Sequence, residues 1–368
     1  MTTIFLCGDV MTGRGIDQIL PYPGDPTLRE SVVTDARTYV TLAERVSGQI
    51  PRPVPYAWPW GDALSVLDEL DPDIRLINLE TAVTTARDFA PGKAVHYRMN
   101  PANAGCLTAV RPDVCVLANN HVLDFGPDGL AESLQTLSEF GIRYVGAGLD
   151  VHEAVRPAVS DLPGGGRVVT VAAGLQSSGV PPRWSATADH SGVAYIDDLS
   201  ERSAVELADR VLAVKGPGDV TVVSLHWGSN WGYDVGAGQV RFAHRLIDTG
   251  VDVVHGHSSH HPRPVEIYRS RLILYGCGDL VNDYEGIQPF RAFRDDLRLL
   301  YFASVDPDSG ELSALRMVPM RVRRMRLERA GQEDADWLRS TVEHASEPFG
   351  TRIEGQADGS YLATQSSD

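Results

Sequence analysis

Six short apolar runs in this 368-residue chain each end on a residue that offers an oxygen or nitrogen donor. Residues 4–7 lead to Asp9, 74–77 to Glu80, 114–118 to Asn120, 220–225 to His226, 251–254 to His257 and 272–275 to Asp279. His260 follows His257 closely. Carboxylate, amide oxygen and imidazole together suit a divalent ion of intermediate hardness. Such an ion lowers the pKa of water and withdraws charge from a substrate oxygen.

The runs are β-rich and bounded by turn residues, so they read as buried strands. Between them lie helical patterns. Residues 129–140 put Leu130, Leu134 and Leu137 on one face, with Asp128 as N-cap and Gly141 as stop, and 204–215 and 240–249 repeat that period. Strands alternating with helices predict an α/β fold, in which residues just past the carboxyl ends of strands meet on one rim. Gly164–Gly166 reads as a hairpin turn, and 316–327 as a half-exposed strand. The Pro- and Gly-rich stretch 21–54 is expected to run over the sheet edge and shape a substrate pocket. One domain over 1–355 and a disordered tail at 356–368 complete the expected layout.

The formal net charge of −16 argues against nucleic acid or an anionic membrane as the main partner. The start of the chain lacks a basic and apolar leader, and no stretch reaches the ~18 apolar residues of a membrane span. Cys7, Cys106, Cys115 and Cys277 show no metal-ribbon spacing and read as free thiols of a cytoplasmic protein.

The order of the blocks carries a resemblance. Gly8-Asp9-Val10-Met11, Asn78-Leu79-Glu80, Ala118-Asn119-Asn120-His121 with Asp124-Phe125-Gly126, His226-Trp227-Gly228, Gly256-His257 with His260, and Tyr275-Gly276-Cys277-Gly278-Asp279 follow one another. This order resembles the CapA-type (poly-γ-glutamate capsule biosynthesis) branch of the calcineurin-like metallophosphatases, from about residue 4 to 285. The resemblance implies a two-sheet β sandwich flanked by helices (α/β/β/α) and one or two divalent ions. It assigns Asp9 and His260 to one ion and Asn120, His226 and His257 to a second, with Glu80 bridging. His121 takes the position of the general acid/base, and Asp124 is placed to orient its ring. The chain departs from the family pattern at Ser258, where an imidazole is lost, and at Asp279, where the family has Asn. Manganese, iron, zinc and calcium all stay open.

Three functions follow. One is a metal-dependent hydrolase acting on a phosphoester, or on an amide of a poly-γ-glutamate or peptide substrate. Another is a peptide epimerase, in which His121 with Asp124 and His260 with Asp279 act on the two faces of a Cα. The third is a non-catalytic module that binds a polyanion or carbohydrate. Substrate and oligomeric state are not written in any motif.

Overall fold

The computed structural model describes residues 1–287 and 291–366. All six apolar runs form strands, and they divide between two large sheets. The ten-stranded sheet runs in the order Thr351–Gly355, Tyr361–Gln365, Leu312–Val322, Leu297–Val305, Thr2–Val10, Ile74–Leu79, Val114–Val116 and Arg143–Val145. Asp279–Val281 pairs with Thr2–Val10 off this path, and Leu327–Arg329 with Leu312–Val322. The six-stranded sheet runs Val265–Tyr268, Arg271–Leu274, Val253–His257, Val220–His226, Arg167–Gly174 and Ala158–Asp161.

Alternation along each strand decides where its side chains go. Ile4 and Leu6 join a core cluster that also holds Val220, Val222, Val253 and Leu272 of the smaller sheet. Phe5 and Cys7 point the other way, into a cluster with Leu130, Leu134 and Leu137 of the helix Gly126–Glu139. Val223, Leu225 and Val254 pack with Leu207, Val211, Phe242 and Leu246 of the helices Glu201–Leu212 and Ala237–Thr249. Ser200 caps the first of these by accepting from the Ser203 amide at 3.2 Å.

The strands that carry the site are parallel, so their carboxyl ends lie side by side. Asp9 is in register with Asn78 on one flank and Asp279 on the other, while His226 is in register with His257. Gly8 is required for this: a Cβ there would stand 1.5 Å from the Gly278 carbonyl oxygen. Only a residue without a side chain lets Asp279–Val281 lie against Thr2–Val10.

Some expectations need correction. Tyr361–Gln365, expected as a disordered tail, is a strand paired with both Leu312–Val322 and Thr351–Gly355. Its apolar Tyr361 and Ala363 are buried against Leu315 and Ile353, a period-two signal hidden in a short polar stretch. Residues 367–368 lie outside the described residues. Asp128 is not the N-cap, because Pro127 opens the helix earlier, at Gly126. The 21–54 stretch contributes Leu28, Tyr39, Val40, Ala43 and Ile50 to the core on the larger sheet, rather than lining the cavity described below. The 316–327 stretch is a strand to Val322, and Gly164–Gly166 does join two antiparallel strands. No helix among the described residues is long and apolar enough to cross a membrane.

Candidate metal centre and proton-transfer site

A cavity of about 270 Å³ opens where the two rims meet. It is lined by Glu80, Asn120, His121, His226 and His260, by Ser258, and by Lys93, Tyr97, Asn230 and Tyr284, which sequence reasoning did not single out as site groups. Asp9 and His257 lie beneath it, both fully buried.

The larger sheet supplies a chain of amide contacts. Asn78 Nδ2 donates to Asp9 Oδ1 at 2.7 Å, Asn119 Nδ2 donates to Asn78 Oδ1 at 3.1 Å, and the His121 amide donates to Asn119 Oδ1 at 3.1 Å. These bonds lock the strand ends together. Asp9 Oδ2 is buried and accepts from no N–H or hydroxyl among the described residues, although the Glu80 carboxyl lies close enough to share a proton with the Asp9 carboxyl. Burial first, then the charge of Asp279, raises the Asp9 carboxyl to about 7. Burial, followed by the charge of Asp9, pushes Glu80 well above the usual carboxylate range.

On the smaller sheet a relay fixes the form of His257. His255 Nε2 lies 2.8 Å from the Cys7 carbonyl oxygen, so it carries the proton. Burial lowers His255 to about 4, which leaves the ring neutral with a bare Nδ1. Ser224 Oγ, 3.0 Å away, donates to that nitrogen and accepts from His257 Nε2 at 2.9 Å. His257 therefore turns a bare Nδ1 towards Asp9 Oδ1 at 3.9 Å and towards His226 Nδ1 at 2.7 Å. His226 Nε2 lies 2.9 Å from Asn120 Oδ1 and donates to it. Burial keeps His226 neutral, so its Nδ1 is bare as well. Two facing lone pairs within reach of the Asp9 carboxylate form a pocket of negative potential that a cation fits.

Asp9, His226 and His257 thus form one buried group able to hold a metal ion, and Asp9, His260 and Asp279 form another. Asp9 is common to both. Glu80 Oε1 stands 3.8 Å from His226 Nε2 and 3.7 Å from His121 Nε2, between the groups and the cavity. Asn120 turns its side-chain oxygen to His226, and its backbone oxygen accepts from Lys93.

His121 donates from Nδ1 to Asp124 Oδ2 at 2.6 Å, and the Tyr97 amide donates to the same oxygen at 2.7 Å. The other oxygen, Oδ1, pairs with Lys93 Nζ. Burial lowers His121 to about 4, opposed by Asp124 and assisted by Lys93, so Nε2 is bare and faces the cavity. His260 donates from Nδ1 to Asp279 Oδ1 at 2.9 Å, and Asn282 Nδ2 donates to Asp279 Oδ2 at 2.6 Å. Here burial is outweighed by Asp279 and Asp9, and the ring is raised above its ordinary value.

Lys93 gave no signal in the sequence because it follows Pro91-Gly92 in a loop without a motif. Tyr97 and Tyr284 were equally silent; the Tyr97 hydroxyl donates to that of Tyr284 at 3.1 Å. Cys7 and Cys277 are buried free thiols outside the cavity lining. Trp227 packs beside the site, stacked on Tyr275 with its ring nitrogen donating to the Tyr275 carbonyl.

A protein of Mycobacterium tuberculosis (strain CDC 1551 / Oshkosh) named "Probable polyglutamine synthesis accessory protein" is 55% identical over 359 residues, covering 97% of this chain and 94% of the relative. The "PGA biosynthesis protein CapA" of Bacillus subtilis (strain 168) is 27% identical over 217 residues, covering 56% of this chain and 52% of that protein. A solved structure, TT1561 of Thermus thermophilus, aligns at 10% identity with a TM-score of 0.37, covering 85% of this chain and 97% of its own. Residues 3–284 match the family described as "Bacterial capsule synthesis protein PGA_cap", and the chain belongs to that family.

Proposed function

We propose that this chain is a metal-dependent hydrolase that cleaves an amide of a polyglutamate or peptide substrate, with phosphoesters as the competing substrate class. The observation that carries the reading is the buried grouping of the Asp9 carboxylate with the bare imidazole nitrogens of His226 and His257, beside a neutral His121 that lines the cavity. We take the paired sheets as the two-sheet sandwich of calcineurin-like metallophosphatases, with residues 1–355 and the strand Tyr361–Gln365 acting as one unit. Asp9, Glu80, Asn120, His226, His257 and His260 are the residues that would hold one or two divalent ions. When bound, the metal supplies a lowered pKa for water and charge withdrawal from the substrate oxygen.

The chain's own groups do the rest. His121 Nε2 accepts a proton from the attacking water as the C–O bond forms, and returns it to the leaving nitrogen as the C–N bond breaks. Asp124 holds the ring in the tautomer that leaves Nε2 bare, and Lys93 holds Asp124. The polyglutamyl substrate class follows from the names of the relatives. The test is turnover of a γ-linked glutamate oligomer and of an aryl phosphate by the manganese-loaded chain, before and after chelation. Turnover that chelation removes supports the reading; a loaded chain inert on both sinks it.

A second reading, peptide epimerisation, is favoured by one observation: two His–carboxylate pairs with opposite proton affinity face the same cavity. His121 would take the Cα proton and His260 return one to the other face. Deuterium at Cα after incubation of a peptide in D₂O is the expected sign, and its absence removes the idea.

A further inference from the structure

The turn after His257 contains a residue that neither reading uses. Ser258 is 3% exposed and lines the cavity, yet its Oγ has no hydrogen-bond partner among the described residues. Its neighbours are all partnered. Ser259 Oγ donates to the His261 carbonyl at 2.9 Å, the His260 amide donates to the Asn230 carbonyl at 3.0 Å, and His260 Nε2 meets Asn230 Nδ2 at 3.0 Å. A buried hydroxyl without a partner is destabilising and calls for an explanation.

The backbone sharpens the question. Ser258 has φ = 99°, in the region that favours glycine. Around the same site the chain does use glycine where φ is positive, with Gly179 at 83°, Gly228 at 82° and Gly278 at 76°. At 258 glycine would make the same turn without strain and without an unpaired hydroxyl. Both costs accompany the side chain, and strain of this kind collects where a side chain serves a ligand.

We infer that Ser258 is a substrate-contacting residue whose Oγ–H donates to an oxygen of the anionic or carbonyl group entering the cavity. The inference rests on the functional reading above in placing the substrate in this cavity. It does not depend on whether the substrate is an amide. Asn120 and Glu80 line the cavity too, but the side-chain oxygen of Asn120 meets His226, and a carboxylate repels an anion. Among the described cavity-lining residues, Ser258 Oγ is the side-chain atom that is fully buried and has no hydrogen-bond partner.

The experiment compares Ser258→Gly and Ser258→Ala with the unaltered chain in three measurements. These are melting temperature without metal, manganese content, and calorimetric binding of inorganic phosphate to the manganese-loaded protein. Ser258→Gly is expected to melt roughly 1–3 °C higher, because strain and an unpaired hydroxyl both go. Its manganese content stays the same, and its phosphate affinity falls about tenfold or more. Ser258→Ala loses the same affinity with a smaller gain in melting temperature, since the unpaired hydroxyl goes but the backbone stays strained. Equal phosphate affinity in all three chains overturns the inference. So does a glycine variant that melts lower and loses phosphate only together with its manganese, which would mark a structural hydroxyl. Failure of the loaded, unaltered chain to bind phosphate overturns it as well. A chain that binds phosphate through Ser258 yet cleaves no γ-glutamyl oligomer or aryl phosphate keeps the inference and defeats the hydrolase reading.

Discussion

His121 sits 2.6 Å from Asp124 and His260 sits 2.9 Å from Asp279, both at the cavity and both largely buried, yet the two rings lean opposite ways. His121 is lowered to about 4 and His260 is raised. The difference lies one shell out. The far oxygen of Asp124 pairs with the Lys93 ammonium, whereas the far oxygen of Asp279 accepts from the neutral Asn282 amide. Burial lowers both rings most; on His121 the Lys93 cation adds to it against Asp124, while on His260 Arg298 also lowers the ring but Asp279 and Asp9 outweigh both. Asp9 adds a second negative charge near His260. Similar pairs become a base and an acid because their neighbours differ in charge.

Removing each ring in turn breaks the comparison most directly. His121→Ala is expected to lower kcat about 10²- to 10⁴-fold while manganese content and melting temperature stay near those of the unaltered chain. His260→Ala is expected to lose manganese along with activity, since His260 belongs with Asp9 and Asp279 to a group able to hold an ion. Elemental analysis beside the rate assay separates the two. Equal metal loss in both variants would erase the division of labour.

Acid should act on the metal group next. Asp9 has to be ionised to hold a cation, and its carboxyl lies at about 7. Manganese uptake by the metal-free chain should therefore release a proton below that pH and weaken about fivefold as pH falls from 7 to 6, approaching tenfold per unit below that. Between pH 8 and 9 the affinity should be flat with respect to this group. Calorimetry in buffers of different ionisation enthalpy counts the protons. An affinity that does not change between pH 8 and 6 would take Asp9 out of the ligand set.

The sequence carried the donor groups far better than their setting. Short apolar runs ending on Asp, Glu, Asn and His are a local signal, and each became a strand whose end reaches one of two adjoining rims. Parallel register then brings Asp9 to Asn78 and His226 to His257, a consequence of strand order that no local pattern states. The groups that decide proton affinity lay hidden because they come from loops. Lys93 reaches Asp124 from a segment whose course depends on the short strand pair Ala82–Val83 and Arg98–Met99. Ser258 read as a lost imidazole, and only its φ and its unpaired hydroxyl give it another meaning. The final strand was missed for a related reason. Five residues with two apolar anchors look like a tail until Leu312–Val322 and Thr351–Gly355 are known to flank them.

The smallest effect tests the cause assigned to the difference between the pairs. Lys93→Met removes the cation behind Asp124 but leaves the His121–Asp124 bond and the metal group in place. Lys93 lowers His121, so its loss should move the titration of that ring upward from about 4, towards the behaviour of His260. A group whose folded value lies below its unfolded one loses stability as pH falls from about 6.5 towards the folded value, so that loss should also shrink in the variant. Histidine ring resonances followed against pH in the metal-free chain read the shift, and kcat should fall about fivefold, the scale of ~1 kcal/mol for a partly exposed ion pair. Lys93→Arg keeps the charge and should keep the low value. If His121 titrates alike with Lys, Met and Arg at position 93, burial alone sets the ring, and the contrast with His260 has to come from Asp9 and Asp279.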